Sequence, residues 1–294
     1  HPTVPLHQDG LISFLFRMPV TDRIHVANGT LFLDGTFQEE KVFCMNRLPV
    51  SYDPAAPVPE KWLAFLQELL YPEDIPTLQE YMGYCLIPSN KGQTMLFLIG
   101  NGGEGKSRIG LVMRSLLGAN MSTGSIAKVE TSPFARADLE HRLVMVDDDM
   151  KLEALPQTNH LKTIVTAEME MDLEKKGEQS YQGMLYARLM AFGNGALRAL
   201  YDHSDGFYRR QLILSAKPKD KARWDDPFIA EKLCSEAEGI FLWAVEGLKR
   251  LIQNGYHFTK SERTQANIEA SMREGNNILD FMDSEGYFLF KADD

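Results

Sequence analysis

The chain contains one stretch whose pattern is diagnostic of a fold: Gly100-Asn101-Gly102-Gly103-Glu104-Gly105-Lys106-Ser107. It fits G-x-x-x-x-G-K-[ST] at every required position. Glycines let the backbone turn its N–H groups toward phosphates, and the N-terminus of a following helix favours negative charge. The stretch therefore predicts a phosphate-binding loop in which these eight residues bind a nucleotide.

The flanking residues supply the context that such a loop requires. The apolar run 94–99 predicts a buried strand before the loop, and residues 106–117 predict a helix that ends at Gly118. In this setting the Lys106 ammonium would neutralise the β- and γ-phosphates, and the Ser107 hydroxyl would ligate Mg²⁺. The alternative is a glycine-rich turn that arose by chance.

Three consecutive acids follow a second apolar run, residues 142–146. They are Asp147, Asp148 and Asp149. The carboxyl ends of parallel strands meet at one edge of a sheet, so we expect these carboxylates to lie beside the phosphate loop. One acid would hold Mg²⁺ and the next would orient or deprotonate the attacking water. Taken alone, the pattern is also typical of a solvated acidic turn.

An amide and two arginines are the next candidates for catalysis. Asn194 follows the apolar run 185–192 and could hydrogen-bond the lytic water or the γ-phosphate, although Asn-Gly is also the commonest hairpin turn. Arg209 and Arg210 precede the run 211–215. They are either ordinary surface charge or candidates for an arginine finger that reaches a neighbouring subunit's nucleotide.

Lysines between the acids and Asn194 are candidates for DNA binding. Lys162 lies in one short segment, and Lys175 and Lys176 lie in the charged stretch 171–178. Lysines at a turn tip could follow a DNA backbone. From charge alone, a solvated loop explains them equally simply.

Three regions of the chain differ in the pattern of their apolar residues. Residues 91–216 alternate apolar strand-like runs with helical stretches, which is typical of an α/β sheet. Residues 1–90 predict a mainly helical region with a short strand pair turning at Asn28-Gly29. Residues 217–294 predict a helical region. The predicted fold class is α/β, with helical regions on both sides of the sheet domain.

Composition limits the classes of function. The net charge is −10, from 31 Lys and Arg against 41 Asp and Glu, which argues against broad coating of duplex DNA. A ring that touches DNA with a few residues in a central channel remains compatible. The three cysteines form no C-x-x-C pair, which fits a reducing cytoplasm. No apolar run reaches the length of a membrane span, so no membrane partner is expected.

The order and spacing of these motifs resemble the superfamily 3 helicases, specifically the helicase portion of phage and plasmid primases related to poxvirus-type primase-helicases. The resemblance spans roughly residues 24–255 and includes flanking positions such as Tyr52-Asp53-Pro54 and Glu238-Gly239-Ile240. It assigns Lys106 and Ser107 to nucleotide binding, Asp148 to the second motif and Asn194 to the sensor. It assigns Arg209 and Arg210 to the paired arginines, and the three lysines to the DNA-contacting segment. The metal ligands would be Ser107, Asp147 and Asp148.

The resemblance implies an AAA+-type P-loop sheet that hydrolyses ATP with Mg²⁺ at the subunit interfaces of a homo-oligomeric ring, a hexamer. It implies translocation on single-stranded DNA in a central channel, in the replication of a phage, plasmid or other mobile element in a bacterial cytoplasm. Primase or initiator domains or proteins would be partners. Two alternatives stay open: the same ATPase remodelling or loading a protein partner, and a small-molecule kinase.

Overall fold

A small antiparallel sheet begins the described part of this computed structural model, which comprises residues 21–202, 204–220 and 225–274. Its strands are β1 (Arg23–Val26), β2 (Gly29–Phe32) and β3 (Phe37–Gln38). The predicted strand pair is confirmed, but its turn lies at Ala27-Asn28, one residue earlier than expected. The reason is tertiary: the Asn28 amide exchanges hydrogen bonds of 2.9 and 2.8 Å with the Tyr52 backbone, which fixes Asn28 in the turn.

The remaining strands form a parallel sheet and a separate hairpin. They are β4 (Met95–Ile99), β5 (Met121–Thr123), β6 (Val144–Met150), β7 (Met171–Leu173), β8 (Tyr181–Gly183), β9 (Arg188–Gly193) and β10 (Gln211–Ser215). Five of them make one sheet in the order β10-β4-β9-β6-β5, and every neighbouring pair is parallel. β7 and β8 pair only with each other, antiparallel. The α/β class is confirmed.

Helices cover both faces of the sheet. They are α1 (Glu60–Leu69), α2 (Ile75–Tyr84), α3 (Ser107–Leu117), α4 (Ile126–Thr131), α5 (Pro133–Ala137), α6 (Asn159–Thr166), α7 (Asp205–Tyr208), α8 (Ile229–Cys234), α9 (Ala237–Gln253) and α10 (Glu262–Glu274). Short 3₁₀ turns precede α2 and follow α3. The helix predicted at residues 106–117 is confirmed as α3, and α1, α2 and α9 lie in the two flanking regions that were predicted to be helical.

Side-chain alternation along the strands divides the core into two layers. In β4, Leu96 and Leu98 belong to the layer under α1, α2, α3 and α9, whereas Met95 and Phe97 belong to the opposite layer under α4, α6 and α10. Successive side chains of a strand point to opposite faces, and a parallel sheet needs helices on both. The apolar runs in the sequence therefore mark strands buried on both faces.

Two helices approach each other closely where glycines replace side chains. A β-carbon on Gly83 of α2 would lie 2.2 Å from the Ala244 carbonyl oxygen of α9, and one on Gly247 would lie 2.4 Å from the Gln79 carbonyl oxygen. No real side chain fits at those distances. This crossing joins the region before the sheet to the region after it, on the face that carries the phosphate loop.

The structure describes only part of the two regions predicted to flank the sheet domain. Residues 1–20 of the predicted N-terminal region and 275–294 of the predicted C-terminal region lie outside the described residues. Within the described part, residues 21–90 hold the small sheet as well as α1 and α2, and residues 225–274 are mainly helical. The run 211–215 matches β10 at both ends, whereas the short strand β5 was not predicted.

Candidate nucleotide-binding site

The predicted phosphate loop connects the carboxyl end of β4 to the N-terminus of α3. Three of its glycines have a positive φ, namely Gly102 at 100°, Gly103 at 81° and Gly105 at 104°. L side chains rarely adopt this backbone conformation, which explains why the loop needs glycine at these positions. The strand, loop and helix expected from the sequence are confirmed.

Lys106 and Ser107 lie where the loop meets α3. Lys106 is 8% exposed, and Ser107 is the exposed first residue of an 11-residue helix. The N-terminus of a helix offers unpaired N–H groups and a favourable dipole to an anion. The structure thus places both predicted nucleotide-binding side chains at a site suited to phosphate.

Glu104 lies inside the loop and is 2% exposed. Its carboxylate accepts hydrogen bonds from the Asn101 N–H, from the Gly102 N–H at 3.0 Å and from Lys106 Nζ at 2.7 Å. Burial, the largest single influence, would raise the pKa of Glu104, but the hydrogen bond and charge of Lys106 together with the backbone N–H groups of the loop outweigh it, and the pKa lies below its ordinary value. The sequence identified Glu104 only as one residue of the loop.

The three acids of β6 separate onto different faces. Asp148 and Asp149 are exposed and line the same pocket as the phosphate loop. A β-carbon on Gly110 of α3 would lie 3.9 Å from Asp148 Oδ1, which places this carboxylate against the first turns of the helix. β6 shifts its register relative to β9 between Asp147 and Met150. Such a bulge inserts an extra residue and re-aims the side chains, so two successive acids can reach one pocket.

Asp147 is not among the residues that line this pocket, and its expected role as a metal ligand stays a prediction. It is 6% exposed, and its Oδ2 accepts the backbone N–H of Ile126 at 2.9 Å, at the start of α4. Burial raises the pKa of the Asp147 carboxyl above its ordinary value. Asp147 does not share the pocket with Asp148 because successive side chains of a strand point to opposite faces of the sheet.

Asn194 completes the polar side of the pocket. It follows β9 directly, and β9 lies between β4 and β6 in the sheet. The amide therefore lies between the phosphate loop and the acids, and it is exposed to the pocket that both line. Its predicted position beside the γ-phosphate is compatible with this geometry.

The pocket has a volume of about 920 Å³, and one wall of it was not predicted. This wall comes from α1 and from the segment before α8: Lys61, Ala64, Phe65, Glu68, Asp225, Asp226, Pro227 and Ile229. These residues lie about 40 positions before and 120 positions after the loop, so no local motif connects them to it. The wall has both apolar and acidic residues, which suits a nucleoside better than phosphate alone.

The donor set suits a magnesium ion bound together with a nucleotide. Ser107 and Asp148 supply a hydroxyl and a carboxylate near the phosphate loop, and oxygen ligands of this kind leave positions for phosphates and water. Within residues 21–202, 204–220 and 225–274, no group of three His, Cys, Asp or Glu residues could hold a metal by itself.

The paired arginines lie at the opposite edge of the sheet. They directly precede β10, and Gln211 pairs with Met95 at the amino ends of β10 and β4. Arg209 is exposed. Arg210 is half-buried and donates to the Gly206 carbonyl oxygen, while burial and the neighbouring Arg209 charge lower its pKa. The structure does not bring either guanidinium to the chain's own pocket.

The three lysines differ in their contacts. Lys162 Nζ donates to Asp202 Oδ2 at 2.7 Å, in α6 rather than in a loop. Lys175 Nζ donates to Glu140 Oε2 at 2.6 Å and lies 5.2 Å from the centre of the Tyr181 ring. Lys176 is exposed at the tip of the β7–β8 hairpin, next to Gly177 with a φ of 80°. The predicted turn tip is confirmed, and Lys176 lies in this turn.

Comparison with protein families gives one match and no function. Residues 98–210, from the end of β4 to the paired arginines, match the model of a family of unknown function, DUF5906. None of the curated proteins matches the chain.

Solved structures share the fold at low sequence identity. An apo A-form structure of the NrS-1 C-terminal region has a TM-score of 0.59 and 14% identity, over 86% of this chain and 59% of that one. An A-form apo structure of NrS-1 residues 305–718 has a TM-score of 0.57 and 16% identity, over 75% of this chain and 53% of that one. The chain thus spans between half and three-fifths of these structures. They establish the similarity of the fold alone.

No helix within residues 21–202, 204–220 and 225–274 combines the length and the apolar composition that crossing a membrane requires.

Proposed function

We propose that this protein is an AAA+-type ATPase of the superfamily 3 kind that moves along DNA as a helicase or translocase. One observation carries the proposal. Lys106 and Ser107, two acids and an amide line one pocket, although they come from three different strand ends of one parallel sheet. Ligands of open α/β sheets bind outside the carboxyl ends of the strands.

The residues of the pocket divide the work of ATP hydrolysis. The backbone N–H groups of the loop and Lys106 bind the β- and γ-phosphates. Ser107 and Asp148 would hold Mg²⁺, which would neutralise the charge that develops on the phosphates. Asp149 and Asn194 lie on the side where a water would approach the γ-phosphate. In the reaction the water oxygen bonds to the γ-phosphorus, the bond to the β-phosphate oxygen breaks, and ADP and phosphate leave. Asp148 or Asp149 accepts the proton of the water.

The position of Arg209 supports a ring. An exposed arginine at the edge opposite the loop can complete a neighbour's site if subunits pack head to tail, and such interfaces close into a ring when the rotation between subunits closes. The resemblance to superfamily 3 helicases favours a hexamer with single-stranded DNA in its channel. Lys176, at the tip of the hairpin, is the residue best placed to contact the backbone of that strand.

A role in the replication of a phage, plasmid or other mobile element is the biological part of the proposal. The motif order carries it, and the shared fold with the NrS-1 C-terminal region supports it. Primase or initiator domains or proteins belong to the proposed partners, because the resemblance to phage and plasmid primases implies them.

Steady-state ATPase assays with and without single-stranded DNA test this function. Wild-type protein should hydrolyse ATP faster when single-stranded DNA is present, and Lys106→Ala should lower the rate by roughly a thousandfold or more. Lys128→Ala, on the exposed face of α4, is the matched control and should keep full activity. Near wild-type hydrolysis by Lys106→Ala would disprove the ATPase site. Hydrolysis that no DNA stimulates would favour the remodelling of a protein partner.

A further inference from the structure

The phosphate loop already holds a carboxylate where a phosphate is expected. Glu104 reaches back into its own loop and accepts the N–H groups of Asn101 and Gly102 and the ammonium of Lys106. These are the two kinds of donor, loop amides and the loop lysine, that a P-loop directs at the phosphates of a nucleotide. A carboxylate offers two oxygens and one negative charge, so it satisfies these donors in the same way.

The contact is buried and strong, unlike a surface ion pair. The side chains of Glu104 and Lys106 are 2% and 9% exposed, and Oε2 and Nζ are 2.7 Å apart. Hydrogen bonds between charged groups in such a setting contribute more to stability than neutral ones do. Breaking one leaves the buried partner without a hydrogen bond, which costs free energy. Glu104 therefore engages one of the three N–H donors of Lys106 and neutralises the charge that a phosphate would otherwise meet.

We propose that Glu104 is a built-in competitor of the nucleotide, which sets the affinity of the site and helps to expel the product. The proposal rests on the proposed nucleotide-binding function of the same loop. When a nucleotide enters, its phosphates replace the carboxylate on the loop amides and on Lys106. When the phosphates leave, Glu104 returns and prevents them from rebinding.

The loop has the freedom that this exchange needs. Glu104 lies between Gly103 and Gly105, both of which have a positive φ. Glycine reaches several backbone conformations at little cost, so Glu104 can swing outward without strain in its neighbours. A β-carbon on Gly102 would meet nothing within 4 Å, so there is room on the outer side of the loop.

Equilibrium binding of Mg-ADP and of a non-hydrolysable ATP analogue, measured by calorimetry, tests the competition. Glu104→Ala should bind both nucleotides roughly tenfold more tightly or better, because the loop donors no longer have to be released. Glu104→Gln should lie between, since its amide oxygen accepts one bond but has no charge. Thermal unfolding of each variant checks that the fold is retained.

A matched control separates the contact from a general effect of charge. Glu60 is an exposed acid at the start of α1, outside the residues that line the pocket, and Glu60→Gln removes one negative charge without touching the loop. It should change the affinity by less than about twofold, as expected for a screened surface charge. Equal tightening by Glu60→Gln and Glu104→Ala would overturn the competitor model.

Kinetics give a second readout that a purely structural role would not produce. In stopped-flow experiments ADP should dissociate from Glu104→Ala about tenfold more slowly, with a lower KM and a lower kcat. Equal or weaker binding by a folded Glu104→Ala variant refutes the competitor while the ATPase stands. If neither the wild type nor the variant binds nucleotide, both the proposed ATPase function and the proposal that Glu104 competes with the nucleotide are refuted.

Discussion

Arg209→Ala should stop ATP hydrolysis without harming the pocket of the subunit that carries it. Parallel β10 and β4 pair in register from Gln211 beside Met95 to Ser215 beside Ile99, four residue steps. At about 3.3 Å a step, the edge that carries Arg209 lies about 13 Å from the edge where the phosphate loop begins. The site lies beyond that edge, farther than an arginine side chain extends.

The loss in rate should therefore come from a neighbour's site. An arginine finger contributes about 10³- to 10⁵-fold to phosphoryl transfer, so Arg209→Ala should reduce hydrolysis by at least about a thousandfold. Its nucleotide binding should stay near the wild-type level. Arg210→Ala is the companion variant: Arg210 donates to the Gly206 carbonyl oxygen, so its loss should lower the midpoint of thermal unfolding.

Mixing two inactive variants measures the sharing of the site. Lys106→Ala subunits have an intact Arg209, and Arg209→Ala subunits have an intact loop. With random assembly, the fraction of sites with both intact halves is the product of the two subunit fractions, about one quarter at equal amounts. ATPase activity should thus rise from background to at most about a quarter of the wild-type rate, with its maximum at equal mixing.

The assay needs subunit exchange to be shown independently, for example by fluorescence transfer between labelled subunits. Activity that stays at background at every ratio, while exchange occurs, would refute a shared site. Arg209 would then be a surface residue, and the protein would hydrolyse ATP as a monomer or with a different finger.

Four further outcomes are expected. Asp148→Asn should bind ATP but not turn it over, and a normal rate together with a dead Asp149→Asn would move the role by one residue. Asp147→Ala should lower stability by about 1 kcal/mol, through loss of the bond to the first turn of α4, and equal loss of metal-dependent binding would contradict its placement. Lys176→Ala should weaken binding of single-stranded DNA and reduce its salt dependence, measured by fluorescence anisotropy; unchanged binding would leave the hairpin without this role. Gly247→Ala should destabilise by roughly 1–3 kcal/mol in thermal unfolding, because its β-carbon meets a backbone oxygen, and an unchanged midpoint would show that α2 and α9 can separate.

Local sequence patterns determined the elements that carry the site. The spacing of Gly100, Gly105 and Lys106 is a property of one short backbone segment, so it predicted the strand, loop and helix that the structure contains. The apolar run 211–215 likewise predicted a strand correctly, because a strand buried on both faces is apolar along most of its length. The α/β class followed from the alternation of such runs with helices.

Other features were outside the reach of local patterns. β5 is only three residues long, and it is a strand because Met121 pairs with Val144 at the sheet edge. The turn at Ala27-Asn28 depends on Tyr52, 24 positions away. The α1 wall of the pocket joins the loop only after the chain has folded.

Which of the three acids line the pocket was decided by tertiary structure alone. In sequence Asp147, Asp148 and Asp149 are equivalent, and a regular strand would have put the first and third on one face. Pairing with β9 introduces a bulge that turns Asp148 and Asp149 to the pocket and leaves Asp147 to the N-terminus of α4. The same holds for Glu104, whose carboxylate meets Lys106 because the glycines fold the loop back on itself. Residue types and their order fix which chemistry is available, but side-chain direction depends on long-range strand pairing, which a single segment of sequence does not encode.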